Sequence, residues 1–197
     1  MIIESPPLYK CNYITLGFAT EPWQERQYWQ VRKAIFCEEQ RLFEGSDRDE
    51  IDGSALPIIA ECSYAGLPDQ VVGVVRIDQR KPGIWWGGRL GVVAQYRQLS
   101  RFNTTGLFND SVPVHPFTMN IGGALIFKAV STALALGCEQ FFAYVQEQNT
   151  NFFRRMHWEP IGEKIYHGRL HHLMEADTSF YQPSLSSVRQ LALKTAG

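Results

Sequence analysis

The sequence predicts one α+β domain over residues 1–197, built around a mixed and mostly antiparallel β-sheet. A length of 197 residues with 45% apolar and 20% charged residues is typical of a single globular domain. The first half contains short β-branched and aromatic runs separated by turn formers, which favours an antiparallel meander. The second half contains a strand, a helix and a strand in succession, which favours a parallel crossover.

In the first half we predict four strands and one helix. A strand over 13–18 precedes a helix over roughly 22–39, which begins with Thr20 as its cap and Pro22 in its first turn. The acid-rich stretch 44–53 has the composition of a loop. The other three strands are predicted over 56–62, 71–77 and 84–93, and the first two of these form a hairpin.

The second half begins with an inserted loop, because residues 98–118 contain turn formers and no regular pattern. A helix opens at Asn120, keeps its apolar residues on one face and ends at Gly137. The unbroken apolar run 141–145 predicts a central buried strand. The remaining predictions are a short helix near 150–156, strands near 157–161 and 164–173, and a terminal helix over 184–194 within a C-terminal extension over 183–197.

The charge balance and the cysteine spacing exclude several classes of function. Nineteen Lys and Arg against twenty Asp and Glu give a net charge of −1, so neither nucleic acid nor an anionic membrane is an expected partner. No apolar run reaches the length of about 18–20 residues that crosses a bilayer, and the N-terminus lacks a signal pattern. The scattered Cys11, Cys37, Cys62 and Cys138 predict reduced thiols in a cytoplasmic protein, without a metal.

A possible phosphate site lies where the second helix begins. Gly122 and Gly123 stand in its first turn, where unpaired N–H groups and the positive end of the helix dipole favour an anion. Arg97 precedes them in the chain and offers a charge-assisted hydrogen bond. A Gly-Gly pair is equally compatible with packing alone, and no Gly-Lys-Ser/Thr follows, so this is not a P-loop.

Three stretches resemble the GNAT acyltransferases. The stretch 88–97, Gly-Arg-Leu-Gly-Val-Val-Ala-Gln-Tyr-Arg, followed by Ile-Gly-Gly-Ala-Leu-Ile at 121–126, resembles the acetyl-CoA signature of that family. The stretch 148–158 is similar to the family's Asn-containing segment, and 31–40 resembles its first helix. The resemblance covers about 12–175 in order. It is closest to a bacterial branch of N-acetyltransferases associated with nitrilase-type gene clusters and nitrogen starvation.

This resemblance implies a sheet of about seven strands with about four helices, and a cleft where two central strands splay apart. It implies that acetyl-CoA is the co-substrate, that an amine of a small molecule attacks the thioester directly, and that a base takes the proton. The implied cofactor-binding residues are Leu90, Gly91, Val92 and Val93 for the pantetheine arm, Ile121, Gly122, Gly123 and Ala124 for the diphosphate, and Arg97, Asn149 and Phe153.

The sequence departs from the family pattern at three places. About twenty residues separate Arg97 from Ile121, where the family has a few. Phe153 stands where many members have a Tyr that protonates the leaving thiolate, and Phe has no proton to give. A thiol with a pKa of about 8.5 leaves as thiolate with little help, so transfer does not require that Tyr. The third departure is that the family's Gly-Phe pair is replaced by His157 and Trp158.

The candidate catalytic residues are Glu39, Asp52 and His171. Glu39 and Asp52 follow the first helix, where related acyltransferases place acids that contact substrate, although a solvated loop explains the acids of 44–53 equally well. Histidine titrates nearest neutrality. His171 and His172 are adjacent in a predicted strand, so they point to opposite faces and cannot bind one metal ion together. A structural or exposed role is the alternative to catalysis for either histidine.

Two other functions remain open. The segment 32–52 also resembles acyl-homoserine-lactone synthases, which implies S-adenosylmethionine as co-substrate and a cleft wide enough for a long acyl chain. Phe153 is also compatible with a catalytically silent sensor that binds acyl-CoA without turnover. The sequence leaves the acceptor, the acyl length and the oligomeric state open, with a homodimer among the options.

Overall fold

The computed structural model describes residues 13–64, 67–97, 101–103, 120–186 and 188–193. The strands are β1 (Tyr13–Phe18), β2 (Leu56–Tyr64), β3 (Leu67–Lys81), β4 (Ile84–Val92), β5 (Arg101–Asn103), β6 (Gln140–Gln146), β7 (Trp158–Tyr166), β8 (Arg169–Ala176) and β9 (Val188–Leu193). The helices are α1 (Pro22–Arg32), α2 (Ala94–Arg97), α3 (Ile121–Ala135) and α4 (Thr150–Arg155).

All described strands belong to one mixed sheet in the order β5-β9-β1-β2-β3-β4-β6-β8-β7. The pair β4 and β6 is parallel, and the other described pairs are antiparallel. Helix α3 lies between β4 and β6 in the chain and makes the crossover that a parallel pair requires. The predicted α+β class and mixed sheet are confirmed, and the seven predicted strands form the contiguous block from β1 to β7.

Two short strands, β5 and β9, extend this block at its β1 edge. β5 lies inside the predicted loop 98–118. The other residues of that loop are outside the described part of the chain. The prediction of a terminal helix over 184–194 was wrong, because residues 188–191 pair with β1 instead. An exposed strand edge offers a complete row of hydrogen-bonding partners, and this tertiary pairing outweighs local helical periodicity.

The first helix differs from the prediction at its start and in its last turns. Glu21, and not Thr20, is the N-cap, and it forms a reciprocal capping box with Gln24 ahead of Pro22. The predicted helix over 22–39 is continuous, but from Lys33 to Glu39 it is a π-helix. π-helical segments are frequent at functional sites, and this one ends beside the cleft described below.

The turn between β7 and β8 lies further along the chain than predicted. We predicted a break near 162–163, but β7 continues through Gly162 with a bulge. The chain turns at His167 and Gly168, with φ of 49° and 70°. Glycine adopts a positive φ without steric cost, whereas His167 is one of the few non-glycine residues of the structure that do so.

The sheet is covered differently on its two faces. Helix α3 packs on one face through Ile121, Leu125 and Val130, all fully buried. On the other face α1 packs Tyr28 and Val31 against β3 and reaches β4. Helix α4 contacts β6 and β7. The part of the α1 face formed by β6, β8 and β7 is left open by these helices.

The described cysteines Cys37, Cys62 and Cys138 form no disulfide, and Cys11 lies outside the described residues. Within the described part of the chain, no helix combines the length and apolar character needed to cross a membrane.

Candidate active site

The central feature of the site is the divergence of β4 and β6. They pair only where Ile84–Gly87 faces 140–143. Beyond these four pairs β4 continues against β3 as far as Val92, and β6 continues against β8 as far as Gln146. The ends of two neighbouring strands therefore border a V-shaped gap instead of a ladder of hydrogen bonds.

A β-bulge in β4 lies at the point of divergence. Gly88 faces Arg76 and Gly91 faces Val74, so Arg89 and Leu90 together oppose one residue of β3. Arg89 has a φ of 54°, in the left-handed region that few non-glycine residues adopt. Bulges of this kind bend a strand and redirect its backbone, and they are frequent next to active sites.

Two cavities lie on either side of this divergence and meet there. One, of about 450 Å³, lies between the start of α3 and the π-helix, and the other, of about 310 Å³, follows β4, β6 and the ends of β7 and β8. Leu90, Gln146, Asn149 and Phe153 line both. A group held at these four residues is therefore in contact with both cavities.

The larger cavity has the features of an anion site. Asn120 caps α3 by accepting a hydrogen bond from the Gly123 N–H at 2.8 Å. Gly122 lines the cavity, and a Cβ added there would lie 3.5 Å from the Asn120 side chain and 3.7 Å from the ring of Phe152. The first turn of α3 holds no acidic residue. The helix start thus presents backbone N–H groups and a positive dipole end to the cavity.

Most of the predicted cofactor residues come together here. Lining the larger cavity are Leu90, Gly91, Val92, Arg97, Ile121, Gly122, Asn149 and Phe153. Val93, Gly123 and Ala124 do not line it. Val93 donates its N–H to the Val72 carbonyl, the Gly123 N–H is held by Asn120, and Ala124 is buried in the core. The binding roles of all eleven residues remain proposals.

Arg97 is held by an ion pair with Glu39. The two guanidinium Nη atoms lie 2.6 and 2.7 Å from the two carboxylate oxygens of Glu39, and Arg97 Nε donates to the Val92 carbonyl. The hydrogen bonds from Arg97 lower the pKa of Glu39. Because both side chains are about 40% exposed, this pair is weak enough for an incoming anion to replace Glu39.

Asp52 belongs to a network that sequence reasoning missed. It and two other aspartates of the 44–53 loop bind three arginines of α1, β3 and β4. The contacts are Arg32 to Asp47 at 2.8 Å and to Asp52 at 2.6 Å, Arg76 to Asp49 at 2.6 Å and to Asp52 at 2.7 Å, and Arg89 to Asp47 at 3.0 Å and to Asp49 at 3.1 Å. Arg32 is completely buried.

One signal in the sequence points to this network. Arg76 stands in the middle of the apolar run of β3, and a charged residue in a buried strand needs a partner of opposite charge. The loop acids were the nearest abundant source of such partners. The described residues contain no group of three His, Cys, Asp or Glu side chains that could hold a metal ion.

The network makes Asp52 a poor base. Burial by itself raises the pKa of Asp52, but hydrogen bonds from Arg32, from the Asp49 backbone and from Arg76 outweigh it and lower the pKa to about 2. A carboxylate with so low a pKa has little affinity for the proton of an ammonium group. Its geometry suits a structural role better than proton transfer.

His171 lies in the smaller cavity next to the junction. It is 5% exposed, it lines the smaller cavity, and it faces Gln146 of β6 in the ladder. Its Nδ1 lies 3.0 Å from the Arg169 carbonyl. A carbonyl only accepts, so Nδ1 carries the hydrogen in this contact and Nε2 is left as an acceptor. His172 approaches Glu163 instead, at 3.6 Å.

Comparison with known proteins establishes the fold. No family model and no curated protein match the chain. Among solved structures, an acyl-CoA N-acyltransferase from Pseudomonas aeruginosa has 16% identity and a TM-score of 0.60, covering 85% of this chain and 99% of that one. An acetyltransferase of the GNAT family from Staphylococcus aureus Mu50 has 12% identity and a TM-score of 0.56, covering 83% and 98%. The chain has the GNAT fold.

The CoA-dependent acyl-homoserine lactone synthase BjaI, solved with SAM and isopentyl-CoA, shares this fold. It has 15% identity and a TM-score of 0.58, covering 84% of this chain and 82% of that one. The predicted GNAT fold is thus confirmed, with β5 and β9 as additions at one edge of its sheet. Membership of the nitrilase-cluster branch stays a prediction, because similarity to solved structures at 12–16% sequence identity shows only the fold.

The Asp52 contacts predict how this GNAT domain loses stability in acid. The pKa of Asp52 is about 2 in the folded chain against an ordinary 3.8, so the unfolded chain binds the proton first as the pH falls. The stabilisation is complete above about pH 5 and is lost as the pH falls through 3.8 towards 2. We expect the loss of about 2 kcal/mol in the free energy of unfolding.

Urea unfolding followed by circular dichroism between about pH 6 and pH 2 measures this loss. Asp52→Asn should lower the stability at neutral pH and flatten the pH dependence. Glu50→Gln, at an exposed neighbour outside the network, should leave both unchanged. An unaltered acid profile in Asp52→Asn would contradict the assignment.

Proposed function

We propose that the protein is an acyl-CoA-dependent N-acyltransferase that transfers an acetyl group from acetyl-CoA to an amine of a small molecule. The observation that carries the proposal is the junction at Leu90, Gln146, Asn149 and Phe153, the four residues that two neighbouring cavities share where β4 and β6 diverge. Such a junction lets a donor and an acceptor meet without sharing an entrance. The proposal places the protein in the cytoplasm, where thiols such as that of Cys37 stay reduced.

The larger cavity suits the donor. The start of α3, with Gly122 at its surface, offers N–H groups to a diphosphate, and Arg97 offers a cation once Glu39 is replaced. The ends of β4 and β6 border the gap with backbone that has left their common ladder. An extended amide-containing arm can pair with such an edge as an added strand does.

The smaller cavity suits the acceptor. An amine held there attacks the thioester carbonyl carbon, His171 Nε2 takes its proton, and the C–S bond breaks as the thiolate leaves. We assign the stabilisation of the developing oxyanion to a backbone N–H of the Arg89–Leu90 bulge. Phe153 contacts Trp158 at 5.1 Å between ring centroids and keeps this junction apolar, but it cannot protonate the thiolate.

The direct test measures release of the CoA thiol from acetyl-CoA with a panel of small amines and amino acids. We expect acceptor-dependent thiol release and a product heavier than the acceptor by one acetyl group in mass spectrometry. Acetyl-CoA binding in calorimetry without thiol release across the panel would contradict the enzyme and favour the silent sensor.

Gly122→Glu tests where the donor binds. Its carboxylate would repel the diphosphate at the start of α3, so we expect the Kd for acetyl-CoA to rise about tenfold or more in calorimetry. Gly122→Gln has the same size without the charge, and Gly122→Ala fits the ordinary contact distances at this position. A Kd that rises equally in all three variants would point to crowding, and an unchanged Kd in Gly122→Glu would refute the placement.

His171→Gln tests the proposed base. Loss of a general base lowers kcat by about 10²- to 10⁴-fold, and we expect a loss of that size in kcat with little change in the Kd for acetyl-CoA. The measurements are kcat at saturating acetyl-CoA and calorimetry. Glu39→Gln serves as the comparison, because Glu39 is the competing candidate. A loss of that size in Glu39→Gln together with an unchanged kcat in His171→Gln would reverse the assignment.

One observation favours a second candidate, an acyl-homoserine-lactone synthase-like reaction. BjaI shares the fold over 84% of this chain, and the segment 32–52 that resembles such synthases is ordered by the arginine–aspartate network beside the smaller cavity. This reaction requires S-adenosylmethionine and a longer acyl donor. Faster thiol release from medium- or long-chain acyl-CoA with S-adenosylmethionine than from acetyl-CoA with simple amines would select it.

A further inference from the structure

The open part of the α1 face carries a group of aromatic rings next to the smaller cavity. We call Trp86, Phe142, Tyr144 and Tyr166 the aromatic platform. The ring centroid of Trp86 lies 5.4 Å from that of Phe142 and 5.4 Å from that of Tyr144. Tyr144 is 39% exposed although it stands in a central strand. Trp86, Phe142 and Tyr166 are half-buried beside it, so Tyr144 is the ring of the group that can stack on a planar ligand.

The aromatic platform has a positive rim. The Arg80 guanidinium lies over the Trp86 ring at 4.1 Å from its centroid, so it covers one face of that ring, and it pairs with Asp78 at 3.0 Å. The Lys164 ammonium lies 5.3 Å from the Tyr144 ring and 5.9 Å from the Tyr166 ring. Lys164 lines the smaller cavity and, within the described part of the chain, forms no ion pair with a carboxylate. Lys164 is therefore available to a negatively charged ligand.

The register of the sheet places this cation beside the proposed base. Lys164 in β7 directly faces His171 in β8. Directly opposed residues of an antiparallel pair lie on the same face with Cβ atoms about 5 Å apart. A carboxylate at Lys164 and an amine at His171 would therefore belong to atoms close together in one ligand, as the two groups of an α-amino acid are.

The platform is also at a suitable distance from the reacting centre. Tyr144 precedes Gln146 by two residues in β6, and Gln146 faces His171. Two residues of a strand span about 7 Å. A ring lying against Tyr144 can therefore be joined to an amine at His171 by a chain of two or three atoms.

We propose that the acceptor is an aromatic α-amino acid, with its ring on the aromatic platform, its carboxylate at Lys164 and its amine at His171. This proposal rests on the proposed acyltransferase function and specifies its substrate class. The charge complements the positive rim, and the ring complements the stacked side chains. A small ligand that carries a ring and a carboxylate close to its amine fits the aromatic platform, Lys164 and His171 at the same time.

The first experiment compares three acceptors with acetyl-CoA by thiol release. They are L-phenylalanine, L-leucine, which lacks the ring, and phenethylamine, which lacks the carboxylate. We expect kcat/KM for L-phenylalanine to exceed each of the others about tenfold or more. Equal values for the three acceptors would overturn the substrate class and leave the acyltransferase function intact.

Paired variants test each contact. Tyr144→Ala should abolish the preference for L-phenylalanine over L-leucine, whereas Tyr144→Phe, which keeps a ring, should retain it. Lys164→Gln should lower kcat/KM about tenfold for L-phenylalanine but not for phenethylamine. Lys81→Gln removes an exposed cation of β3 outside both cavities and should change neither value. Identical losses for all acceptors in Lys164→Gln would contradict the carboxylate contact.

A binding measurement separates this proposal from the proposed function. Calorimetry with L-phenylalanine and CoA should give a Kd that rises in Tyr144→Ala and in Lys164→Gln. Such binding without thiol release would refute the acyltransferase and keep the ligand class. Sedimentation tests a different occupant of the platform. If the protein does not bind L-phenylalanine but forms a concentration-dependent dimer that Tyr144→Ala dissociates, a second copy covers the platform. That result would overturn the proposal.

Discussion

The ion pairs between the 44–53 loop and three arginines hold the part of the sheet on which the site depends. Arg89 stands in the β4 bulge with a left-handed backbone, and its guanidinium binds Asp47 and Asp49. Arg76, opposite the residue before the bulge, is tied to the same loop. These contacts draw the bulge towards the α1 side. Breaking a buried pair by removing one partner costs about 3–5 kcal/mol. These ion pairs therefore hold the bulge in place.

The opening between β4 and β6 follows from that support. A bulged strand bends away from its former neighbour, and the parallel ladder ends at Gly87 after four pairs. β6 is kept straight by its long antiparallel ladder with β8. Two well-paired strands therefore part at a fixed point, which gives a cleft that is present before any ligand binds. Pre-formed sites spare the cost of ordering the protein on binding.

Local patterns in the sequence were sufficient for the elements that depend on local physics. The helix start at Asn120, the left-handed end at Gly137 and a strand over 141–145 follow from capping, glycine and apolar runs, and the structure confirms them. The predicted burial of that strand was right for one face only, because Tyr144 on the other face is exposed. The terminal strand β9 was missed because its conformation depends on the free edge of β1, more than 170 residues earlier in the chain. The periodicity of a short segment does not show whether such an edge is present elsewhere in the fold.

The same distinction holds within the site. Gly122 at the start of α3 could be placed from its neighbours, whereas the partner of Arg97 could not, because Glu39 lies 58 residues away in the sequence. The three aspartates had the composition of a solvated loop, and only the fold brings Arg32, Arg76 and Arg89 to them. Long-range charge pairing follows from topology, which a single sequence does not supply.

In the proposed acyl transfer, the lack of an acid at Phe153 means that the difficult proton transfer is the one from the acceptor amine. The leaving thiol has a pKa of about 8.5 and departs without a proton donor, but an alkylammonium with a pKa of about 10.4 must lose a proton before it can attack. The proposal assigns this proton to His171, whose Nε2 is left as an acceptor by the contact of Nδ1 with the Arg169 carbonyl. Lys164, opposite His171, is compensated by the carboxylate that it binds in the proposal, so it acts on the choice of acceptor and not on removal of the proton.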